Sequence, residues 1–208
     1  MSDYLRLLAA AAAAYLCGSF NTAVLVSRAV LRRDIRELGS GNAGFTNSMR
    51  AMGRRWGAVV IAGDLLKGAL AILIATLLLY GSPLYDLSRA TAALCVVLGH
   101  AYPVFFGFRG GKGVATTAAV MLMFDWRAAL SSIGVYIIVS AATRYSSLGS
   151  ILAAACLPLF VALFRPGEWI ILAVASVIAG MLLFWHRANI RRLVQGTENK
   201  MTYRKKKP

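Results

Sequence analysis

The sequence predicts an all-α integral membrane protein, built as a bundle of seven transmembrane helices. Two observations support this fold class. Of the 208 residues, 59% are hydrophobic, which is more than soluble domains carry. Apolar stretches that are long enough to cross a bilayer, or nearly so, recur along the chain with short polar segments between them. We place these stretches at about 4–27, 56–80, 89–106, 114–124, 128–143, 148–164 and 169–185.

No linker separates the apolar stretches, so residues 1–208 are expected to form a single membrane domain. The first stretch has no basic region before it and no clear cleavage site, and we interpret it as a retained helix. The fourth stretch is short for a hydrocarbon core of ~30 Å. Each cysteine lies in an apolar stretch without metal-ligand spacing, which predicts buried hydrophobic side chains and no metal site: Cys17, Cys95 and Cys156.

The positions of lysine and arginine predict the orientation. Seven crossings put most basic residues on one side, in segments 28–55, 99–113 and 186–198 and in a tail at 204–207. Since basic loops stay in the cytoplasm, the N-terminus is expected outside and the C-terminus inside. The same pattern accounts for the net charge of +15 without a nucleic-acid partner. The opposite side holds only four arginines: Arg6, Arg89, Arg127 and Arg165.

The first cytoplasmic segment combines glycines with neutral hydrogen-bonding side chains. Glycine leaves the backbone uncovered, and Arg50 offers a fork that suits phosphate oxygens. This composition indicates an anion site, and the alternative is an ordinary Ser/Asn/Gly-rich turn. The candidates in this segment are Ser40, Gly41, Asn42, Thr46, Asn47 and Arg50.

Ionisable residues also occur within two predicted crossings. Asp64 and Lys67 are three residues apart on one helical face, and we interpret them as an ion pair that supports the neighbouring loop, with direct chemistry as the alternative. His100 stands near the end of the third crossing, just before Pro103. It could bind substrate or make a structural hydrogen bond.

The second glycine-rich segment, 110–113, precedes the fourth crossing. Its glycines can turn backbone N–H groups toward an anion, while Lys112 adds a mobile positive charge. It is not a Walker A loop, because Phe106 stands where that motif requires glycine. The segment predicts a phosphate cradle made by Gly110, Gly111, Lys112 and Gly113. The alternative is a tight turn between helices.

Two further segments are predicted on the cytoplasmic side. The serines of segment 143–150 are expected to cap the helix that follows. If the last helix continues beyond the bilayer, His186 and Asn189 share one of its faces and could bind a polar headgroup. The alternative is a basic amphipathic end lying on anionic lipid.

Three sequences, GSGNAGFTNSMR, GHAYPVFFGFRGGKGVATT and HRANIRRLVQGTE, together resemble the signature loops of the bacterial acyl-phosphate-dependent glycerol-3-phosphate acyltransferases, the PlsY family. GDLLKG and RYSSLGS fit as well, and the resemblance covers nearly the whole chain in the same order. Two departures are Phe45, where a small residue is expected, and the long basic tail. The His-x4-Asp motif of unrelated acyltransferases begins at neither His100 nor His186.

This resemblance implies a seven-helix enzyme of the bacterial inner membrane whose active site faces the cytoplasm. Its substrates would be acyl-phosphate and sn-glycerol 3-phosphate, and its products lysophosphatidic acid and inorganic phosphate. No cofactor, metal, acyl-CoA or obligate protein partner is implied. The competing class is an organic-phosphate transporter, but that class predicts polar residues at the bilayer midplane, whereas the polar segments here lie at one surface.

The resemblance also suggests roles for the residues. No general base is obvious, because the only carboxylates we noted near the polar candidates are Asp34 and Glu37. We therefore expect the donor's own phosphate to take the proton from the attacking hydroxyl. Ser40, Lys112 and His186 are the expected catalytic residues. The expected substrate-binding residues are Gly41, Asn42, Thr46, Asn47, Arg50, His100, Gly110, Gly111, Gly113 and Asn189.

Overall fold

The computed structural model describes residues 2–201, so the basic tail at 204–207 lies outside the described residues. Within residues 2–201 the regular structure is helical. Two short 3₁₀ helices, Ile35–Glu37 and Val104–Phe106, accompany ten α-helices. The α-helices are α1 (Asp3–Ser19), α2 (Thr22–Leu31), α3 (Phe45–Met52), α4 (Arg54–Leu78), α5 (Tyr85–Ala101), α6 (Val114–Phe124), α7 (Trp126–Thr143), α8 (Ser146–Phe164), α9 (Trp169–Trp185) and α10 (Arg187–Val194).

Five segments in the described chain are long and apolar enough to cross a membrane. The first of them joins α1 and α2, and the others are α4, α5 with its following 3₁₀ turn, α7 and α8. A sixth is obtained if α9 and α10, which meet at a bend of 56°, form one span. Helix α6 is apolar but has only 11 residues. The fold is therefore that of an all-helical integral membrane protein.

The helix interfaces use small residues for close packing. Gly18 of α1 faces Gly99 of α5, and a Cβ added to Gly18 would lie 3.0 Å from the Cα atom of Gly99. Small residues of this kind let membrane helices approach until their backbones touch. Alanines fill much of the same core, including Ala14, Ala75 and Ala93.

The first apolar stretch is not one helix over 4–27. The helix breaks at Phe20 and Asn21, and α2 then extends to Leu31. The Asn21 side chain caps α2 by accepting a hydrogen bond from Val24 N at 3.1 Å. Lys67 Nζ donates to the carbonyl oxygen of Phe20 at 3.1 Å. Backbone groups freed by a break at membrane depth need such partners, so Lys67 helps to stabilise the break.

The polar segments between the membrane helices are also more helical than the sequence suggested. Helix α3 forms inside the first glycine-rich segment, and its first residue is Phe45. The last helix does not continue straight beyond the bilayer, because the chain bends at His186 before α10 begins. This bend turns α10 back toward α8, which it contacts.

Candidate active site

One cavity, with a volume of about 430 Å³, lies where the polar segments meet the helix bundle. It is lined by residues from α3 to α10 and from the segment after α10. Ser40, Lys112 and His186, which are far apart in the chain, all line it. The structure therefore brings the three expected catalytic residues to one place.

Most of the expected substrate-binding residues line the same cavity, and three do not. Gly41, Gly110 and Gly111 are absent from its lining. Those that line it are Asn42, Thr46, Asn47, Arg50, His100, Gly113 and Asn189.

The amides of Gly110 and Gly111 were expected to bind phosphate, but they already have partners. Gly110 N donates to the carbonyl oxygen of Ala101 at 3.0 Å, and Gly111 N donates to that of His100 at 3.1 Å. These bonds cap the end of α5. Glycine is required there for space, because a Cβ on Gly111 would collide with the His100 ring and the Ala43 carbonyl oxygen. Both glycines therefore support the loop that carries Lys112.

A buried ionic cluster lies behind this loop. Asp64 Oδ1 is 2.9 Å from Lys67 Nζ and 3.6 Å from His100 Nδ1. It also accepts a hydrogen bond from Thr22 Oγ1 at 3.4 Å. The His100 side chain is 3% exposed and contacts Thr116 Oγ1 at 3.4 Å. Because the ring is held by Asp64 and packs against Gly111, His100 is placed to position the loop.

In the first segment, Asn47 is a structural residue as well as part of the cavity wall. Its Oδ1 accepts from Ser40 N at 2.9 Å, and its Nδ2 donates to the carbonyl oxygens of Ile35 at 3.2 Å and Leu38 at 2.9 Å. All of the hydrogen-bonding capacity of the amide nitrogen is therefore used within the protein. Asn47 holds Ser40 in position.

The first two polar segments, 28–55 and 99–113, are joined by Arg36, which the sequence reasoning did not select. Its Nη1 donates to the carbonyl oxygens of Phe106 at 2.6 Å and Arg109 at 2.8 Å. Its other guanidinium nitrogens bind Asp34. Hydrogen bonds from Arg28 and Arg36 keep the pKa of Asp34 far below its usual range, although burial opposes this. No motif in the sequence indicates this link, because the bonds go to backbone oxygens.

Lys112 is one of the cations that line the cavity. It donates a hydrogen bond to Asn189 Oδ1. The pKa of Lys112 is lowered from 10.5 to about 8, chiefly because the side chain is buried; Glu198 opposes this decrease and Arg192 adds to it. Lys112 therefore still carries a positive charge near neutral pH and is poorly hydrated, which favours a bound anion.

His186 has a defined hydrogen-bonding arrangement. Its Nδ1 is 2.7 Å from the carbonyl oxygen of Leu182. Because a carbonyl oxygen can only accept, Nδ1 carries the proton in this contact. In the neutral ring, Nε2 is then left as an acceptor, which suits a hydroxyl group.

The carboxylates noted near the polar candidates in the sequence were Asp34 and Glu37, but the two that line the cavity are Asp64 and Glu198. Glu198 Oε1 accepts from Ser147 Oγ at 2.8 Å and from Asn189 Nδ2 at 2.7 Å. Its Oε2 accepts from Arg192 Nε at 2.7 Å. Glu198 is the last residue of the third signature sequence, so the sequence did contain it. Its position along the chain did not indicate that it contacts Asn189.

The cavity continues between the membrane helices as an apolar region. Two buried hydroxyl groups on its wall, Thr117 Oγ1 and Ser132 Oγ, have no hydrogen-bond partner within residues 2–201. Elsewhere the wall is mostly aliphatic, with Ile61 and Leu65 of α4, Met121 of α6, Ile133 and Ile137 of α7, Leu157 of α8 and Leu182 of α9. The cavity thus has a cationic end and an apolar end.

The cavity offers no obvious metal site. Among the described residues, no three or more His, Cys, Asp or Glu side chains are grouped so that they could hold a metal ion. Both carboxylates on the wall are instead paired with cations of the protein.

Comparisons with known proteins agree on one family. The sequence model described as glycerol-3-phosphate acyltransferase matches residues 8–196. A glycerol-3-phosphate acyltransferase from Clostridioides difficile is 41% identical, over 94% of this chain and 95% of its own length. One from Geobacter sulfurreducens is 44% identical, over 91% of this chain and 94% of its own length.

A solved structure shows the same similarity in three dimensions. The crystal structure of PlsY, an integral membrane glycerol 3-phosphate acyltransferase, in its glycerol 3-phosphate form, superposes with a TM-score of 0.85 at 36% identity. The match covers 94% of this chain and 96% of that one. The lysophosphatidic acid form of PlsY gives a TM-score of 0.82 at 35% identity, covering 94% of this chain and 95% of that one. The chain belongs to the glycerol-3-phosphate acyltransferase family.

Proposed function

We propose that this protein transfers a fatty acyl group from acyl-phosphate to the 1-position of sn-glycerol 3-phosphate. The products are lysophosphatidic acid and inorganic phosphate, and the reaction is the first step of bacterial phospholipid synthesis. The observation that carries the proposal is the single cavity with a cationic end and an apolar end. Such a cavity suits two phosphate-bearing reactants, one of which has a long alkyl chain.

The cationic end is assigned to the two phosphates. Lys112 and the start of α6 bind one of them, since the cavity wall includes Gly113 and the first residues of that helix. Arg50 binds the other. Its Nη2 donates to the carbonyl oxygen of Asn199 at 3.1 Å, and the guanidinium has further donors for phosphate oxygens. Holding both reactants here offsets the repulsion between their negative charges and aligns them for attack.

The remaining polar residues position the acceptor. His186 and Asn189 hold glycerol 3-phosphate, with His186 Nε2 accepting from a hydroxyl group. Ser40 and Thr46 line the same cavity and supply neutral donors. The alkyl chain of the donor lies along the aliphatic wall between α4, α7 and α8, where burial stabilises it by about 0.8 kcal/mol per CH₂ group.

The transfer step needs no acyl-enzyme. The 1-hydroxyl oxygen attacks the carbonyl carbon of the acyl-phosphate, the bond from that carbon to the phosphate oxygen breaks, and the hydroxyl proton passes to the departing phosphate. This proton route is supported by the state of the cavity carboxylates, because Asp64 is bonded to Lys67 and Glu198 accepts three hydrogen bonds. Neither is a free base.

This route predicts that no covalent acyl intermediate accumulates. After incubation with acyl-phosphate alone, intact-mass spectrometry of the wild type, Ser40→Ala and His186→Ala should show only the unmodified protein mass. Both replacements should reduce turnover, by about 10- to 100-fold, because each removes a group that positions the hydroxyl. A mass increase equal to one acyl group, lost in either variant, would contradict the direct transfer.

The proposed orientation in the membrane has seven crossings. Counting short α6 and the bent α9–α10 pair as crossings brings the five apolar segments to seven. The segments that carry Ser40, Lys112, Ser147 and His186 then all reach one side. The basic residues of segments 28–55, 99–113 and 186–198 identify that side as the cytoplasm. We propose the bacterial inner membrane as the location, with no cofactor and no obligate protein partner.

Purified protein in detergent should release inorganic phosphate from acyl-phosphate only when glycerol 3-phosphate is present, and should form lysophosphatidic acid in equal amount. Phosphate release can be followed by a colorimetric assay and the lipid by mass spectrometry. Acyl-CoA should not replace acyl-phosphate as donor. If vesicles containing the protein accumulated glycerol 3-phosphate without making lipid, the proposed function would be wrong and a transporter would be indicated.

A further inference from the structure

The segment after α10 folds back over the cationic end of the cavity. Arg50 Nη2 donates to Asn199 O at 3.1 Å, and Met201 N donates to Arg144 O at 2.7 Å. Both Glu198 and Asn199 line the cavity. The segment therefore connects α3, the α7–α8 turn and α10, and brings a carboxylate into a site that has to bind anions.

Glu198 is connected to Lys112 through one side chain. Asn189 Nδ2 donates to Glu198 Oε1 at 2.7 Å, and Asn189 Oδ1 accepts from Lys112 Nζ. An amide group can be turned in two ways, which exchange its donor and acceptor ends. Because a carboxylate can only accept, it determines that the nitrogen of Asn189 faces Glu198 and the oxygen faces Lys112.

The Glu198 carboxylate is itself held firmly. Ser147 Oγ donates to the same oxygen that Asn189 contacts, at 2.8 Å, and Arg192 Nε donates to the other oxygen at 2.7 Å. The Glu198 side chain is 6% exposed. Burial raises its pKa, but the hydrogen bonds from Asn189, Ser147 and Arg192 outweigh this and leave the pKa below its usual value. Glu198 is thus an anion at neutral pH and a weak base.

We propose that Glu198 is a positioning residue for acyl transfer: it fixes the Asn189 amide so that Lys112 is held where a substrate phosphate binds. The inference rests on the proposed function, since it names what prepares that site for its substrate. Glu198 does not contact the reacting atoms in this role. Its negative charge also favours the protonated form of Lys112, in opposition to burial and to Arg192.

The test compares Glu198→Gln with Glu168→Gln. Glutamine has nearly the same shape as glutamate but carries no charge. If its side-chain oxygen accepts from Arg192, its NH₂ group faces Ser147 and Asn189, where the carboxylate accepted hydrogen bonds. Glu168 precedes α9 at the end opposite His186, about 26 Å away for a helix of this length, and is paired with Arg165. Each variant loses one carboxylate, but only Glu198→Gln loses it at the cavity.

For Glu198→Gln we expect the KM for glycerol 3-phosphate to rise about tenfold or more, since a charge-assisted hydrogen-bond network is broken. The decline of kcat/KM at alkaline pH should also begin at a lower pH than in the wild type. The sign follows from Lys112: its pKa is about 8 with Glu198 present, falls when that negative charge is removed, and the ammonium group is then lost earlier as pH rises. Glu168→Gln should match the wild type in both measurements.

Two further variants separate charge from geometry. Glu198→Asp keeps the charge but is one methylene shorter, so the KM should rise without an alkaline shift. If Glu198 acts through Asn189, then Glu198→Ala combined with Asn189→Ala should cost no more than Asn189→Ala alone. Additive losses would overturn the inference, as would a Glu198→Gln enzyme with an unchanged KM and pH profile.

Failure of the inference can be told apart from failure of the proposed function. If the wild type makes no lysophosphatidic acid from acyl-phosphate, the proposed function is wrong and the inference falls with it. If the wild type is active and Glu198→Gln behaves like Glu168→Gln, only the positioning role is wrong. Thermal unfolding of each variant in the same detergent identifies any loss of activity that is due to unfolding.

Discussion

Lys112→Ala is expected to lower the rate of lysophosphatidic acid formation by about 100- to 1,000-fold, because it removes a preorganised positive charge where a substrate phosphate binds. The protein should remain folded, since Lys112 contributes one hydrogen bond to the structure, to Asn189. Rates should be measured with saturating acyl-phosphate, and thermal unfolding should be measured in the same detergent.

The matched control for this prediction is Arg109→Ala. Arg109 lies three residues earlier on the same loop, and its exposed side chain does not line the cavity. Its replacement removes the same formal charge and should change the rate by less than about threefold, in keeping with surface substitutions. Retained turnover in purified Lys112→Ala would refute the assignment of Lys112.

Gly111→Ala should nearly abolish activity although it adds only a methyl group. That methyl group would collide with the ring of His100 and with the carbonyl oxygen of Ala43. His100 is fixed by Asp64, so the loop must move instead. A displacement of about 1 Å at a catalytic group can cost about 100-fold in rate. Overpacking of this kind costs about 1–3 kcal/mol of stability, which calorimetry can measure.

Gly134→Ala makes the same chemical change in α7, where a new Cβ would meet no atom within 4 Å. It should leave activity unchanged and keep or slightly raise stability, since alanine favours helix more than glycine does. Equal activity of the two variants would show that the contact of Gly111 with His100 does not position Lys112.

Much of the site could be predicted from residue types alone. Lys112, Arg50 and the neutral polar side chains near them were selected from their chemical types as candidates for an anion site, and the structure places them along one cavity. Hydrophobic composition indicated the helical membrane fold, because a bilayer satisfies no backbone hydrogen bonds. In contrast, Glu198 and Arg36 were missed, because their partners lie in distant segments or are backbone oxygens.

Composition and short spacing were sufficient to identify an apolar helical membrane protein with three polar segments, two of them rich in glycine. These properties depend on local composition and short spacing, which can be read without coordinates. Which groups remain available to a ligand became visible only in the folded chain. The amides of Gly110 and Gly111 are used to cap α5, and Asn47 is used to hold Ser40. Hydrogen-bond partners of this kind are set by the packing of helices against one another, and spacing along the chain does not encode them.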